Sequence, residues 1–201
     1  MTVRRRLSLT LLITLTLIAV LTAFGPVERT LGANLRLVLL HGAWVWSGKL
    51  LFAAAGVCGL AAIISPARWA DWSRALGWSG LFFWLTYLPM SLLVQQQNWG
   101  GIFWDEPRWR IPFTFGVVGV LLQSGLLVLG QPRLTGFANA AFGLALWVVL
   151  GGAENILHPD SPVAQSSSLS IRLTFGLLLG LALLTGAQLS LLLKHSIQKA
   201  A

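Results

Sequence analysis

Residues 113–130 read Phe-Thr-Phe-Gly-Val-Val-Gly-Val-Leu-Leu-Gln-Ser-Gly-Leu-Leu-Val-Leu-Gly, without one charged side chain. A helix needs about 20 such residues to cross a hydrocarbon layer. Working outward from this stretch, others of similar character run at approximately 7–25, 38–64, 76–95, 134–152 and 173–193. Six stretches predict an all-α fold: a polytopic membrane protein built as a six-transmembrane-helix bundle, with residues 1–201 forming a single integral membrane domain. The composition agrees. Only 10% of the residues are charged, against roughly 25% in soluble domains, and the mean hydropathy is +0.76. A chain of 201 residues accommodates about five to seven spans, which leaves no room for a separate soluble catalytic domain. No enzyme is expected.

The net charge of +8 bears on topology and does not point to nucleic acid. If the six helices alternate, one side of the bilayer holds Arg4, Arg5, Arg6, Arg68, Arg74, Arg133, Lys194 and Lys199, with Asp71 as its acid. The other holds Arg29, Arg36, Arg108, Arg110 and Arg172, with Glu28, Asp105, Glu106, Glu154 and Asp160. Basic residues accumulate on the cytoplasmic side. The expectation is a multi-pass protein of the cell (inner or plasma) membrane, in contact with lipid, with both termini cytoplasmic. Arg4–Arg6 before an apolar run also raises a signal peptide. Leu7–Phe24 is long for that, and no small-x-small cleavage site follows, so a retained helix is expected. Cys58 is the only cysteine, which excludes a disulfide framework and a Cys-x-x-Cys-His haem attachment.

Between the third and fourth apolar stretches, residues 98–110 read Asn-Trp-Gly-Gly-Ile-Phe-Trp-Asp-Glu-Pro-Arg-Trp-Arg. On the derived topology, this outer Trp-rich loop, 96–112, faces away from the cytoplasm. Three indoles (Trp99, Trp104 and Trp109) can make a flat apolar platform for a large planar ligand, with Arg108 and Arg110 available for its acid groups. The competing reading is an interfacial aromatic belt, because Trp is enriched where membrane meets water. The three longer connections, 26–37, 96–112 and 153–172, all fall on this outer side, where a rigid bundle would display a site.

His41 opens the second stretch and His158 follows the fifth, both on the side of the Trp loop; His195 lies in the cytoplasmic tail. A histidine at a helix end is often a hydrogen-bonded structural group, but imidazole is also a common axial ligand of haem iron. Glu154 precedes His158 by four residues, so on a continuing helix the two share a face. The carboxylate could then orient the imidazole. Lys49 lies about 12 Å beyond His41 along a helix, deep enough to be either a functional charge or a snorkelling one. Gln123, Asn139 and Gln188 read as interhelical hydrogen-bonding groups.

Together these features resemble the cytochrome c assembly family of haem-handling membrane proteins, the CcmC and CcsA type. That family carries a tryptophan-rich (WWD) outer loop of the form Trp-Gly-x-x-Trp-x-Trp-Asp-x-Arg. Here it reads Trp99-Gly100-Gly101-Ile102-Phe103-Trp104-Asp105-Glu106-Pro107-Arg108. The resemblance extends to the order of parts, with one outer histidine before the loop and one after it. Asn155-Ile156-Leu157-His158 is similar to the wording around the family's second histidine. Phe103 replaces the central Trp, one residue is missing before Trp104, and one is inserted between Asp105 and Arg108. His41 is followed by Gly-Ala-Trp instead of a Pro-containing spacing. These departures mark a divergent member.

The resemblance implies a haem-binding and haem-delivery protein for c-type cytochrome assembly that holds haem b non-covalently. His41 and His158 would be the ligands of the haem iron. Trp99, Gly100, Trp104, Asp105 and Trp109 would form the loop surface, with Arg108 and Arg110 on the propionates. Glu154, Asn155 and Lys49 would support them. The implied partners are haem, other cytochrome c assembly subunits, and a haem chaperone or apocytochrome c. Two alternatives stand beside it. A b-type haem membrane electron-transfer subunit usually has histidine pairs within helices at two depths. A structural or transporter bundle with an aromatic belt would leave the histidines silent.

Overall fold

The computed structural model describes residues 2–153 and 163–200. It contains six helices: α1 Val3–Ala23, α2 Leu35–Ile64, α3 Pro66–Trp99, α4 Pro107–Leu129, α5 Pro132–Gly151 and α6 Leu169–Ala200. Among the described residues there is no strand, only an isolated bridge between Glu28 and Gly32. All six helices are long and apolar enough to cross a membrane. The chain is thus an all-α, polytopic six-helix bundle. Val57, Leu121, Val128 and Leu144 lie exposed on its flanks, as a lipid-facing surface requires.

Local chemistry sets the helix boundaries. Pro66, Pro107 and Pro132 each open a helix, where a missing N–H costs nothing and a fixed φ is already helical. Gly100 and Gly130 close α3 and α4 with φ of 70° and 62°, a conformation that strains any residue with a Cβ. Several helices outrun the apolar stretches in the sequence. α3 includes Arg68, Asp71 and Arg74 at one end and Gln95–Trp99 at the other, because a helix can continue into the interfacial layer with polar side chains.

α2 and α3 form the centre and pack along each other; α5 and α6 contact both, and α4 lies against α3 and α5. α1 packs chiefly on α6 and buries only Thr14 and Ile18. Lipid offers no hydrophobic drive for helix association, so close packing and polar contacts must hold the bundle. Both are present. A Cβ on Gly59 would collide with the backbone of Gly136, one on Gly56 would lie 3.2 Å from Ala140 Cα, and one on Gly143 3.0 Å from the Phe52 carbonyl. α2 and α5 therefore meet backbone to backbone.

Beside that contact runs a buried polar chain. Gln123 of α4 donates to Asn139 of α5 at 2.7 Å, and Asn139 donates to the Ser73 hydroxyl of α3 at 2.9 Å. Ser73 donates to the Ala55 carbonyl of α2 at 2.9 Å. Four helices are tied by three side chains. Gln188 donates to Thr14, joining α6 to α1. The interhelical role expected for Gln123, Asn139 and Gln188 is thus observed.

The bundle has two distinct ends. Arg36 donates to the Gly25 carbonyl and Asn34 to the Gln97 carbonyl, which brings the α1–α2 connection and the end of α3 together. At the opposite end, Gln198 of α6 donates to Asp71 of α3 and the Lys194 ammonium lies over the Trp72 ring.

Candidate ligand site at the Trp-loop end

The non-helical part of the Trp loop is residues 100–106, shorter than the 96–112 expected from hydropathy. α3 runs through Trp99, and α4 takes in Arg108, Trp109 and Arg110. Three of the candidate residues therefore sit on the first turn of a helix. Buried Gln95 fixes the loop by accepting the Phe103 N–H through its Oε1 at 2.8 Å. Thus pinned, the loop displays Trp99, Ile102, Phe103 and Trp104 to the outside, with Trp104 56% exposed. Trp104 meets Trp109 edge-on at 5.0 Å, and Trp109, buried, stacks on Phe113 at 5.1 Å.

The two arginines diverge. Arg110 points outward and pairs at 3.7 Å with Asp105, whose side chain is fully exposed; such surface pairs contribute little to stability. Arg108 is half-buried, and its Nε is out of solvent. Helical geometry explains the split, since positions i and i+2 lie about 200° apart around the axis. Glu106, the residue before α4, is only 3% exposed. Its Oε1, the Nε of Arg108 and the Nε1 of Trp109 are buried polar atoms with no hydrogen-bond partner among the described residues.

His41 lies in the second turn of α2, half-buried, with its ring edge-on to Tyr87 at 5.2 Å. The adjacent Gly42 faces α6, where a Cβ would approach Phe175 to 3.1 Å. Lys49 holds its ammonium between two indoles, 4.4 Å from the Trp46 ring and 4.1 Å from the Trp147 ring. Glu154, Asn155 and His158 lie outside the described residues.

Tyr87, Gln95, Glu106, Trp46 and Trp147 were not singled out from the sequence. Tyr87 had a signal, as the only tyrosine in the chain and one inside an apolar stretch. Gln95 opens a run of three glutamines and gives no sign that it alone turns inward. A hollow of about 360 Å³ opens between α4 and the end of α5, lined by Asp105, Pro107, Arg110, Ile111, Thr114, Phe115 and Val149.

The candidate residues that the structure brings to this end are those of the displayed loop, His41 beside Tyr87, and half-buried Arg108. No family model, curated protein or solved structure matches the chain.

Proposed function

We propose that this chain is a haem-handling protein of c-type cytochrome assembly that takes up haem b without a covalent bond and delivers it to a partner. The haem is cargo, and its iron chemistry is its own. The observation that carries the reading is the display of Trp99, Ile102, Phe103 and Trp104 on a loop whose backbone Gln95 anchors. A rigid apolar surface of this kind suits a flat ring system, because the ligand need not order it on binding. His41 and the half-buried Arg108 belong to the same end of the bundle. They would supply an iron ligand and a charge for an acid group. His158 would be the second ligand. The partners would be other assembly subunits and a haem chaperone or apocytochrome c.

In this reading the cell membrane holds the protein with both termini in the cytoplasm and the Trp loop outside. A fluorescent reporter that matures only in the cytoplasm should be active after Ala201, and a reporter active only outside should work when inserted at Gly101. The reverse pattern would remove the loop from the compartment where c-type cytochromes are assembled.

The decisive measurement is the absorption spectrum of purified full-length protein with and without added haem. His41→Ala and His158→Ala should each shift the spectrum, and the double variant should lose the haem, while His195→Ala behaves as wild type. The Trp104–Trp109–Phe113 cluster at the bundle end favours one competing reading, an aromatic belt. A protein that takes up no haem, or a double variant with an unaltered spectrum, would decide for the belt or for other ligands.

A further inference from the structure

The end of the bundle opposite the Trp loop collects basic side chains from three helices. Gln198 of α6 bonds Asp71 in the second turn of α3, so α6 finishes where α3 begins. α1 finishes at the Trp-loop end, where the Arg36–Gly25 and Asn34–Gln97 hydrogen bonds join its exit to the end of α3. Its start, with Arg4, Arg5 and Arg6, therefore lies at the opposite end, and α1 packs on α6.

Helical geometry aims the cations of α6 at both neighbours. Ser190 meets Ser79 of α3, and Lys194, four residues on, lies over the Trp72 ring of the same helix at 4.4 Å. Gln188 meets Thr14 of α1, and Lys199, eleven residues on, returns to within about 20° of that direction. Arg68 of α3 lies over the Trp69 ring at 5.1 Å. Arg4, Arg5, Arg6, Arg68 and Lys199 are exposed and Lys194 is half-buried. All converge on the corner between α1, α6 and α3.

No ion pair neutralises them among the described residues. Asp71, the acid of this end, stands three residues from both Arg68 and Arg74, a spacing suited to pairing. It accepts from neutral Gln198 at 3.2 Å instead, and the Arg110–Asp105 pair is at the other end. Glu154 and Asp160, outside the described residues, belong to the connection that enters α6 at its far end. Asp160 is nine residues from Leu169, at most about 32 Å of chain, whereas Lys199 stands about 45 Å along α6.

Trp69 and Trp72 precede the apolar part of α3, which suits the headgroup level of a bilayer. Basic pockets between spans at that level attract anionic lipid headgroups. Orientation in the membrane requires only a number of cations on one side; it does not require three helices to bring them to one corner. We propose that this corner binds the phosphate headgroup of an anionic phospholipid. Lys194 and Lys199 donate to the phosphate oxygens, and Arg68 and the arginines of α1 surround it. Arg133, at the same end, lies outside the corner, because it is on α5, which packs on α2, α3 and α4.

The test is native mass spectrometry of the purified full-length protein, released from micelles holding equal amounts of phosphatidylglycerol and phosphatidylcholine. Wild type should retain the anionic lipid about tenfold over the zwitterionic one. Lys194→Gln combined with Lys199→Gln should remove most of that preference. Lys194→Arg with Lys199→Arg should keep it, and Arg133→Gln should match wild type. Equal retention of the two lipids by wild type would overturn the proposal, as would a lysine pair whose loss lowers stability but leaves the lipid ratio unchanged. An Arg133→Gln effect as large as that of the lysines would do the same, by showing a diffuse positive surface. Displacement of the retained lipid by inorganic phosphate would assign the corner to a free anion and overturn the lipid assignment.

Discussion

The side-chain oxygen of Gln95 in α3 accepts the backbone N–H of Phe103 at 2.8 Å, across the turn that carries the Trp loop. The anchor is buried and the residues it positions are exposed, so loop order depends on a group that never meets solvent.

Replacing Gln95 by Leu should therefore release the loop without unfolding the bundle. One hydrogen bond contributes about 1 kcal/mol net, which corresponds to roughly fivefold faster local opening. Hydrogen exchange at Phe103 is the readout, with the helix cores as reference. Acceleration spread through α3 would mean that Gln95 supports the helix instead.

The backbone contact between Gly59 and Gly136 leaves no space for a side chain. Gly59→Leu should cost about 2 kcal/mol or more, since overpacking a close contact typically costs ~1–3 kcal/mol. Gly176 has no neighbour within 4 Å of a built Cβ. Gly176→Ala should be neutral or stabilising by up to about 1 kcal/mol, through helix propensity. Unfolding titrations in mixed micelles would separate the two, and equal effects would contradict the packing described.

Asn139 receives from one neighbour and donates to another, so its loss strands two partners. Asn139→Leu should destabilise by about 1–2 kcal/mol, in the range measured for interhelical polar contacts and unsatisfied groups. Adding Gln123→Leu should cost little more, because the pair acts as a unit. Strict additivity of the two would show that the chain of hydrogen bonds is not coupled.

Outside the spans, the Glu28 carboxylate accepts the N–H groups of Thr30 and Leu31 at 2.8 and 2.9 Å. These backbone donors hold its pKa below the ordinary value of 4.5. A lowered folded value means that the turn is fully supported above about pH 4.5 and loses that support as the pH falls through the folded value. The Thr30 and Leu31 amide resonances should titrate with a midpoint under 4.5 and become pH-independent in Glu28→Gln. A midpoint at or above that value would contradict the turn.

Hydropathy made the six helices legible because spanning a bilayer demands long apolar runs that few other constraints produce. It located helix ends less well: charged Arg68, Asp71 and Arg74 interrupt apolarity without interrupting the helix. The arginines of the loop show the consequence. Read as a flexible segment, Arg108 and Arg110 are equivalent, but with Pro107 opening α4 they become opposite faces of one turn. The signal was the proline, and its weight appears only when the helix start is fixed. The clamp around Lys49 was not readable at all, since Trp46 and Trp147 are 101 positions apart and meet only because α2 and α5 pack backbone to backbone.

The sparse burial of α1 bears on how the bundle is assembled in time. Its chief partner is α6, and Gln188 and Thr14, which join them, are separated by 174 positions. At about 5–20 residues per second of synthesis, α1 waits roughly ten to thirty seconds in the bilayer before its neighbour emerges. It is equipped to wait, because the Thr10, Thr14 and Thr16 hydroxyls donate to carbonyls of their own helix. Most of its remaining surface is apolar and stays outside the core after closure. Insertion and packing are thus separate events for this helix, and the second waits for α6 to join it.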